Sequence, residues 1–156
     1  MAYNTRLKEA IEFLLKAAIS YDHPRRKRRA NVMFYEKGSW RIKHYYGFAP
    51  DSDEIKKLKM TLDEGCTGMA YSQNCQVFGT REFGVSKKNI KYIASDLMYI
   101  LSTPVRNPMN PKEVICILNL DSSSPADFKY FRQRQFSGEM RILADIIGLY
   151  IYLNGR

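Results

Sequence analysis

The 156-residue sequence is poor in residues that bind metals or form disulfide networks. It has two histidines, His23 and His44, three cysteines and no C-x-x-C pair. Neither histidine has a second ligand at metal-binding spacing, so we expect each to be a surface or strand residue and predict neither a metal nor a cofactor. Three cysteines cannot all pair within one chain, which favours a reduced, cytoplasmic protein.

Long apolar runs are also absent. No uninterrupted stretch of about 18 apolar residues occurs, which argues against a transmembrane helix. The N-terminal segment has charged residues within its apolar pattern and lacks the features of a signal peptide. With 45% hydrophobic residues, the chain has enough apolar material for one core. We therefore expect a single domain over residues 1–156.

Positive charge is in clear excess. The chain has 25 Lys and Arg against 16 Asp and Glu, a formal net charge of +9. Part of this excess is a continuous basic run, which is either a solvated loop or a docking surface for nucleic acid, an anionic membrane or an acidic partner. No DNA-binding helix pair, zinc finger or aromatic RNA-binding strand accompanies the run, which favours the loop. The predicted anion-binding residues of the run are Arg25, Arg26, Lys27, Arg28 and Arg29.

The first half of the chain shows a helical and then a strand pattern. Spacings of four and three predict an N-terminal helix, with a stripe formed by Leu7, Ile11, Leu14, Ala18 and Tyr21. The following β-branched and aromatic residues flank Lys37-Gly38, which predicts a hairpin. Asp51 is a predicted N-cap of a short helix, with Glu54 at its third position.

The second half predicts two central strands and a terminal helix. A short helix is expected over Lys87–Ala94, followed by strands at Met98–Val105 and Glu113–Leu120 that are joined by a proline-rich loop. Ser124-Pro125-Ala126-Asp127 has the residues of a helix start. A last helix is expected over Phe136–Leu153.

The last helix is apolar on two faces. The first face is Phe136, Met140, Leu143, Ile147 and Tyr150, and the second is Ile142, Ile146, Leu149 and Leu153. Such a helix must bury both faces, one on the sheet and one against a partner helix. The N-terminal helix is the expected partner within the chain, and a second copy of the protein could complete a four-helix bundle.

Three motifs in this order resemble the GAF domain. They are LDEGCTGMAYSQNCQVF at Leu62–Phe78, YILSTPV at Tyr99–Val105 and VICILNLDS at Val114–Ser122. The first is similar to the glycine turn and helix of the family, the second to its central strand with a proline, and the third to its closing strand. The resemblance covers roughly residues 5–153.

The resemblance implies an α+β fold of the GAF/PAS type. It implies a central antiparallel sheet of five or six strands, with the N- and C-terminal helices on one face and a pocket under a loop-and-helix cover on the other. It also implies a sensory or regulatory domain that binds an unknown small molecule and forms homodimers through its terminal helices. Such domains commonly sit beside an output module, so the chain can be part of a larger signalling protein.

Within the same family, enzymes that reduce free methionine sulfoxide use a nucleophilic and a resolving cysteine. The segment that carries the nucleophile in those enzymes corresponds here to Asn89–Met98, which has no cysteine. Cys66 lies in the glycine turn, where the family can place one, but Asp63 and Glu64 beside it oppose ionisation. We therefore expect Cys66 to be a packing residue, and catalysis is the less favoured alternative. Cys75 and Cys116 are also expected to be packing residues.

Other uses of the family find no support in the sequence. Bilin-binding members need a cysteine beside a histidine in the long connection, and Phe78–Leu97 contains neither. Members that bind cyclic nucleotides have an Asp-Glu pair after a position similar to Asp127-Phe128, and that pair is missing here.

Position alone suggests which residues face the ligand. The predicted ligand-binding residues are Tyr46, Phe48, Phe78, Phe83, Tyr92, Asp96 and Ser102. The sequence therefore favours a non-enzymatic, ligand-binding sensor. One alternative is a free methionine sulfoxide reductase that uses Cys66, and another is an interaction module that docks through the basic run.

Overall fold

The structure is a computed structural model that describes residues 5–20 and 28–155. Helices at both ends of the chain enclose a series of strands and short helices. In chain order the elements are α1 (Thr5–Ser20), β1 (Arg28–Glu36), β2 (Ser39–Tyr46), α2 (Asp53–Lys57), α3 (Gly65–Gln73), β3 (Val77–Thr80), α4 (Lys87–Ile90), β4 (Tyr99–Asn107), β5 (Asn110–Ser122), α5 (Asp127–Tyr130) and α6 (Arg134–Asn154).

The strands form one five-stranded sheet in the order β2-β1-β5-β4-β3, and every neighbouring pair is antiparallel. The predicted α+β class with a central antiparallel sheet is confirmed. The long strand β5 lies in the middle, because it pairs with β1 on one side and with β4 on the other. Residues from distant parts of the chain therefore meet along β5.

Strand alternation separates the protein into two cores. Side chains of β5 at positions 116, 118 and 120 pack against α1 and α6, whereas Ile117 packs on the opposite face with the residues of α2 and α3. Both faces are buried, so β5 is apolar at consecutive positions through its middle. At Asn119 and Asp121 the face opposite the terminal helices turns polar.

The predicted hairpin and N-terminal helix are present, with one shift in the buried stripe. Lys37 and Gly38 connect β1 to β2 and have φ values of 52° and 81°, the left-handed conformation that two-residue hairpin turns need. In α1 the residue buried one turn after Ile11 is Leu15, while Leu14 is half-buried. The predicted Tyr21 lies outside the described residues.

Two predicted helix starts are displaced along the chain. The N-cap of α2 is Ser52 and not Asp51, because the Ser52 hydroxyl accepts a hydrogen bond from the Ile55 backbone N–H at 3.3 Å. Helix α5 begins at Asp127, later than the predicted cap at Ser124. The predicted helix over Lys87–Ala94 ends at Ile90.

The terminal helix buries a different stripe from the predicted one. Leu143 and Tyr150 are not in its buried set, whereas Ala144, Gly148 and Ile151 are. An ideal Cβ on Gly148 would lie 2.6 Å from the Arg106 backbone oxygen, so this glycine lets α6 approach β4. The second predicted face, at Ile142, Ile146, Leu149 and Leu153, is exposed and not covered by α1. Among the described helices, none combines the length and the apolar character needed to cross a membrane.

Candidate functional site

A narrow pocket lies between the sheet and the cover formed by α2, α3 and the segment after α4. Its volume is about 40 Å³. This is room for a few water molecules at roughly 10–15 Å³ each, and is far below the roughly 300–1,000 Å³ of typical ligand sites. Its wall combines apolar side chains with the polar groups Asn31, Glu54, Cys66, Thr67, Asn119 and Asp121.

A three-residue ion pair forms the charged end of this pocket. The Arg29 guanidinium donates to both carboxylate oxygens of Glu54 at 3.2 Å and to Oδ2 of Asp121 at 3.0 Å. Glu54 also accepts a hydrogen bond from the Ala94 backbone N–H at 2.7 Å. The Phe48 ring covers the guanidinium, with its centroid 4.0 Å from Cζ. The cluster holds two carboxylates against one guanidinium.

The pKa of Asp121 is raised from its ordinary value to about 7. Burial is the main cause, and the negative charge of Glu54 adds to it, while Arg29 acts in the opposite direction. Oδ1 of Asp121 accepts no hydrogen bond from the residues that the structure describes. Asp121 can therefore exchange a proton near neutral pH and has an oxygen available to a bound donor.

A chain of amide and hydroxyl side chains continues from Asp121 across the sheet. Asn119 Oδ1 accepts hydrogen bonds from Ser102 at 2.6 Å and from Thr67 at 3.2 Å. Asn119 Nδ2 donates to Asn31 Oδ1 at 3.1 Å. The Asn31 Nδ2 group donates no hydrogen bond to the described residues, and Asn31 lines the pocket. The pocket thus offers a ligand one donor and one acceptor.

Cys66, the second residue of α3, is the only cysteine in the wall of the pocket. Burial, with a further contribution from the negative charge of Asp121, raises the pKa of its thiol to about 12. Cys75 is exposed, and Cys116 lies in the core against the terminal helices. All three cysteines are free thiols. Cys66 is therefore a neutral thiol at physiological pH in this structure.

Glu64 fixes the cover of the pocket from outside. Its carboxylate accepts hydrogen bonds from the Asn89 side chain at 2.9 and 3.1 Å, from the Thr61 N–H at 3.1 Å and from the N–H and hydroxyl of Ser86 at 3.1 Å. Burial alone would raise the pKa of Glu64, but these hydrogen bonds outweigh it and hold the pKa below its ordinary value. Glu64 has a structural role, because it ties the glycine turn to α4.

The two arginines at the end of the basic run lie on opposite faces of β1. Arg28 faces the terminal helices, where its side chain is 1% exposed and forms a bidentate pair with Asp127 at 3.0 and 2.7 Å. Its guanidinium also lies 4.6 Å from the centroid of the Tyr130 ring. Because Arg28 and Arg29 both pair with carboxylates inside the protein, neither presents a free cation to an external anion. Arg25, Arg26 and Lys27 lie outside the described residues, so their anion binding stays a prediction.

The predicted ligand-binding residues do not form the wall of this pocket. Phe78 packs towards the terminal helices, Phe83 is exposed and Tyr92 packs at the edge of the core opposite those helices. Tyr46 is exposed, Phe48 covers Arg29, and Ser102 supports Asn119 from a fully buried position. Asp96 lines a neighbouring surface cleft together with Leu97 and Arg29.

The residues that do define the pocket are polar and come from distant segments. Glu54, Asn119 and Asp121 were not among the predicted site residues, although Asn119 and Asp121 lie within the quoted motif VICILNLDS. A signal was present in that motif, because Ile117, Asn119 and Asp121 alternate along one face of a strand that is otherwise apolar. Two polar residues in register on a buried face need partners inside the fold.

Comparison with known proteins gives results only for solved structures, since no protein-family model and no curated protein sequence matches. The GAF domain of an Acinetobacter phosphoenolpyruvate-protein phosphotransferase aligns with 96% of this chain and 86% of its own, with a TM-score of 0.68 and 13% identity. The chain folds as a GAF-like domain. A type II free methionine-R-sulfoxide reductase from Thermoplasma acidophilum is 22% identical, with a TM-score of 0.63 over 94% of this chain and 95% of its own. The reduced form of fRMsr from Staphylococcus aureus is 12% identical, with a TM-score of 0.61 over 94% of each chain.

These neighbours correct one expectation from the sequence. The sequence favoured a non-enzymatic domain, but a reductase has this GAF-like fold over almost the whole chain. The expectation is therefore wrong, because this fold is compatible with an enzyme. Among the described residues there is no group of three or more His, Cys, Asp or Glu side chains arranged to hold a metal ion.

Proposed function

We propose that this GAF-like domain binds a small molecule that carries a protonated amine or another cationic donor, with the cation at Asp121. The observation that carries the proposal is the cluster of Arg29, Glu54 and Asp121, in which two buried carboxylates share one guanidinium. Among the described residues, the charged ones that line the pocket are Glu54 and Asp121. The free Oδ1 of Asp121 is the natural acceptor for the ligand.

Charge balance is the physical reason for a cation. A buried carboxylate without full compensation is unfavourable, and the raised pKa of Asp121 expresses this cost. A bound ammonium group would neutralise the cluster and stabilise the ionised carboxylate. An anionic ligand would instead add a third negative charge beside Glu54 and Asp121 and is disfavoured.

A matched pair of substitutions tests this proposal. A panel of free amino acids, polyamines and quaternary amines is screened by thermal shift, and each hit is confirmed by calorimetry. Asp121→Asn keeps the shape of the side chain but removes its charge, so we expect at least a roughly tenfold loss of affinity for a cationic hit. Asp145→Asn, on the exposed side of α6, is the control and should bind as the wild type does. Equal binding by wild type and Asp121→Asn would refute the assignment.

We further propose that ligand binding is transmitted to the terminal helices through β1. Arg29 contacts the pocket, and the next residue along the strand, Arg28, contacts Asp127 and the aromatic residues that precede and begin α6. A shift of β1 at the pocket would therefore also change the packing at the start of α6. If the terminal helices associate, the ligand should change the dissociation constant of the dimer, and an unchanged constant would contradict this role.

A second candidate function is the reduction of free methionine sulfoxide, because Cys66 lines the same pocket as the titratable Asp121. In such a reaction the Cys66 sulfur attacks the sulfoxide sulfur while the carboxylic acid protonates the sulfoxide oxygen. A second thiol, supplied by dithiothreitol, then completes a disulfide and releases the sulfide and water. Opposing this role, burial raises the pKa of the Cys66 thiol to about 12.

The activity of the cysteine variants decides this second candidate. We expect turnover with dithiothreitol to disappear in Cys66→Ser and to persist in Cys75→Ser, because Cys75 is exposed and is not part of the pocket wall. Product methionine is measured by chromatography. If the wild type shows no turnover, or if Cys66→Ser retains it, the reductase assignment fails while the binding proposal stands on its own test.

A further inference from the structure

The narrow pocket has a larger neighbour on the protein surface. A cleft of about 260 Å³ is lined by Arg28, Arg29, Gly47, Asp96, Leu97 and Ser123. Leu97 lines both the cleft and the pocket, and Arg29 of the cleft pairs with the pocket residues Glu54 and Asp121. The two spaces therefore share a wall built from one leucine and one ion pair.

The two parts of this wall differ in how firmly they are held. The Arg29 guanidinium donates three hydrogen bonds to two buried carboxylates, so its displacement would leave charges without partners. Leu97 is 6% exposed and packs in the apolar cluster opposite the terminal helices. Moving it exposes one apolar side chain to the water of the cleft. Leu97 is therefore the part of the wall that can open at the lower cost.

The backbone around Leu97 is fixed on both sides. Before it, Arg81 donates hydrogen bonds to the carbonyl groups of Ile90, Ile93 and Ala94 at 2.7–2.9 Å. After it, the Met98 N–H donates to the Ser122 carbonyl at 2.8 Å and joins the chain to the sheet. Only residues 95–97 lie between these anchors. The Leu97 N–H itself donates to the Ala94 carbonyl at 3.2 Å. Leu97 can therefore leave the wall by rotation of its side chain while the backbone keeps these hydrogen bonds.

We propose that the pocket and the cleft are the inner and outer compartments of one binding site, and that Leu97 is the gate between them. Together they hold about 300 Å³, the lower end of the range of small-molecule sites. The site takes an elongated ligand with its amine at Asp121 and a polar outer end beside Asp96 and Arg29. This inference rests on the proposed function for its ligand, but the gate can be tested without one.

The rate of thiol modification at Cys66, compared with the rate at Cys116, measures how often the gate opens. Cys66 lines the pocket, whereas Cys116 is buried on the opposite face of the sheet and reports global unfolding. In a Cys75→Ser background, both thiols are modified with methyl methanethiosulfonate, and the rate at each is followed by peptide mass spectrometry. We expect Leu97→Ala to speed modification of Cys66 by about tenfold or more, because opening no longer exposes the leucine side chain, and to leave the rate at Cys116 unchanged.

Two further variants keep the test decisive. Leu15→Ala removes a buried leucine from α1 on the other face, in the same core as Cys116, and should not raise the ratio of Cys66 to Cys116 modification. Leu97→Val, a smaller truncation, replaces Leu97→Ala if the latter fails to fold, and should give an intermediate increase. An unchanged ratio of Cys66 to Cys116 modification in the folded Leu97 variant would overturn the gate, whatever the ligand-binding screen shows.

Discussion

Asp121 is the residue on which the chemistry of the pocket depends. It lies at the end of the central strand, is almost fully buried and shares Arg29 with Glu54. Since its pKa is about 7, the pocket changes from neutral to negative within the physiological range. The same carboxyl group can thus serve as the anchor of a cation or as a proton donor.

The affinity for a cationic ligand should rise with pH until Asp121 is ionised. Only the ionised carboxylate attracts an ammonium group, so the affinity should increase by roughly tenfold per pH unit below about pH 7 and level off above it. Calorimetry from pH 5.5 to pH 8.5 measures this dependence. The weak residual binding of Asp121→Asn should show no such slope, and a pH-independent affinity of the wild type would contradict the role of Asp121.

Calorimetry is preferable to thermal unfolding for this measurement, because the same pKa shift also affects folding. The folded protein retains a proton on Asp121 that the unfolded chain loses above about pH 4. The contribution of Asp121 to stability therefore falls as the pH rises from about 4 to about 7. The shift for Glu64 has the opposite sign, since its pKa is lowered and its contribution is lost on acidification.

At the scale of elements, the strands determine which residues meet. Arg28 and Arg29 are adjacent in sequence, yet the alternation of β1 sends one to Asp127 and the other to Glu54 and Asp121. The partners of Arg29 lie 25 and 92 positions away in sequence. The order of the elements and the hairpin turn could be predicted because they depend on local periodicity and turn residues.

The pocket could not be predicted in the same way. The prediction chose aromatic residues such as Phe78 and Phe83 from their positions near the long connection, but their side chains pack elsewhere or face solvent. The buried polar residues Glu54 and Asp121 come together only through the pairing of β1 with β5 and the position of α2. Such pairing is a property of the whole sheet, which no short window of sequence contains.

Two glycines of α6 should respond in opposite directions to the same substitution. A methyl group on Gly148 would meet the Arg106 carbonyl oxygen at 2.6 Å and Val105 at 3.3 Å, so Gly148→Ala should destabilise the protein by about 1–3 kcal/mol. At Gly138 the nearest atom is the end of the flexible Arg141 side chain at 3.7 Å. Gly138→Ala should therefore stabilise the helix by about 0.5–1 kcal/mol. Urea denaturation measures both values, and equal effects would show that α6 does not pack on β4 as described.

At the scale of the whole molecule, the outer face of the terminal helices is strongly apolar. Along α6, the exposed fractions are 61% for Ile142, 46% for Leu149 and 69% for Leu153, and Phe13 on α1 is 71% exposed. Between the two helices lies a groove of about 210 Å³ lined by Ala17, Leu143 and Ile146, among others. Monomeric proteins rarely leave a continuous apolar surface of this kind in water.

We propose that a second copy of the chain covers this face. Ile142, Ile146, Leu149 and Leu153 repeat at intervals of four, three and four residues, the spacing with which helices pack side by side in coiled coils and bundles. The charged residue that lines the groove, Glu139, is half-buried and lies near the start of α6. Asp145, which is exposed, lies one turn from both Ile142 and Leu149 and therefore borders the stripe. Two copies that pack along Ile142, Ile146, Leu149 and Leu153 would keep this carboxylate at the edge of the interface, in contact with water.

Sedimentation equilibrium tests this association. The wild type should have a mass near twice the 18.2 kDa of one chain, and Leu149→Glu should shift it to the monomer because a carboxylate would be buried at the centre of the interface. Met109→Glu is the matched control, since Met109 is 72% exposed in the hairpin between β4 and β5 and is not among the residues that line the groove. A monomeric wild type, or equal effects of both substitutions, would rule out this interface, and transmission of ligand binding through a dimer would then have no structural basis.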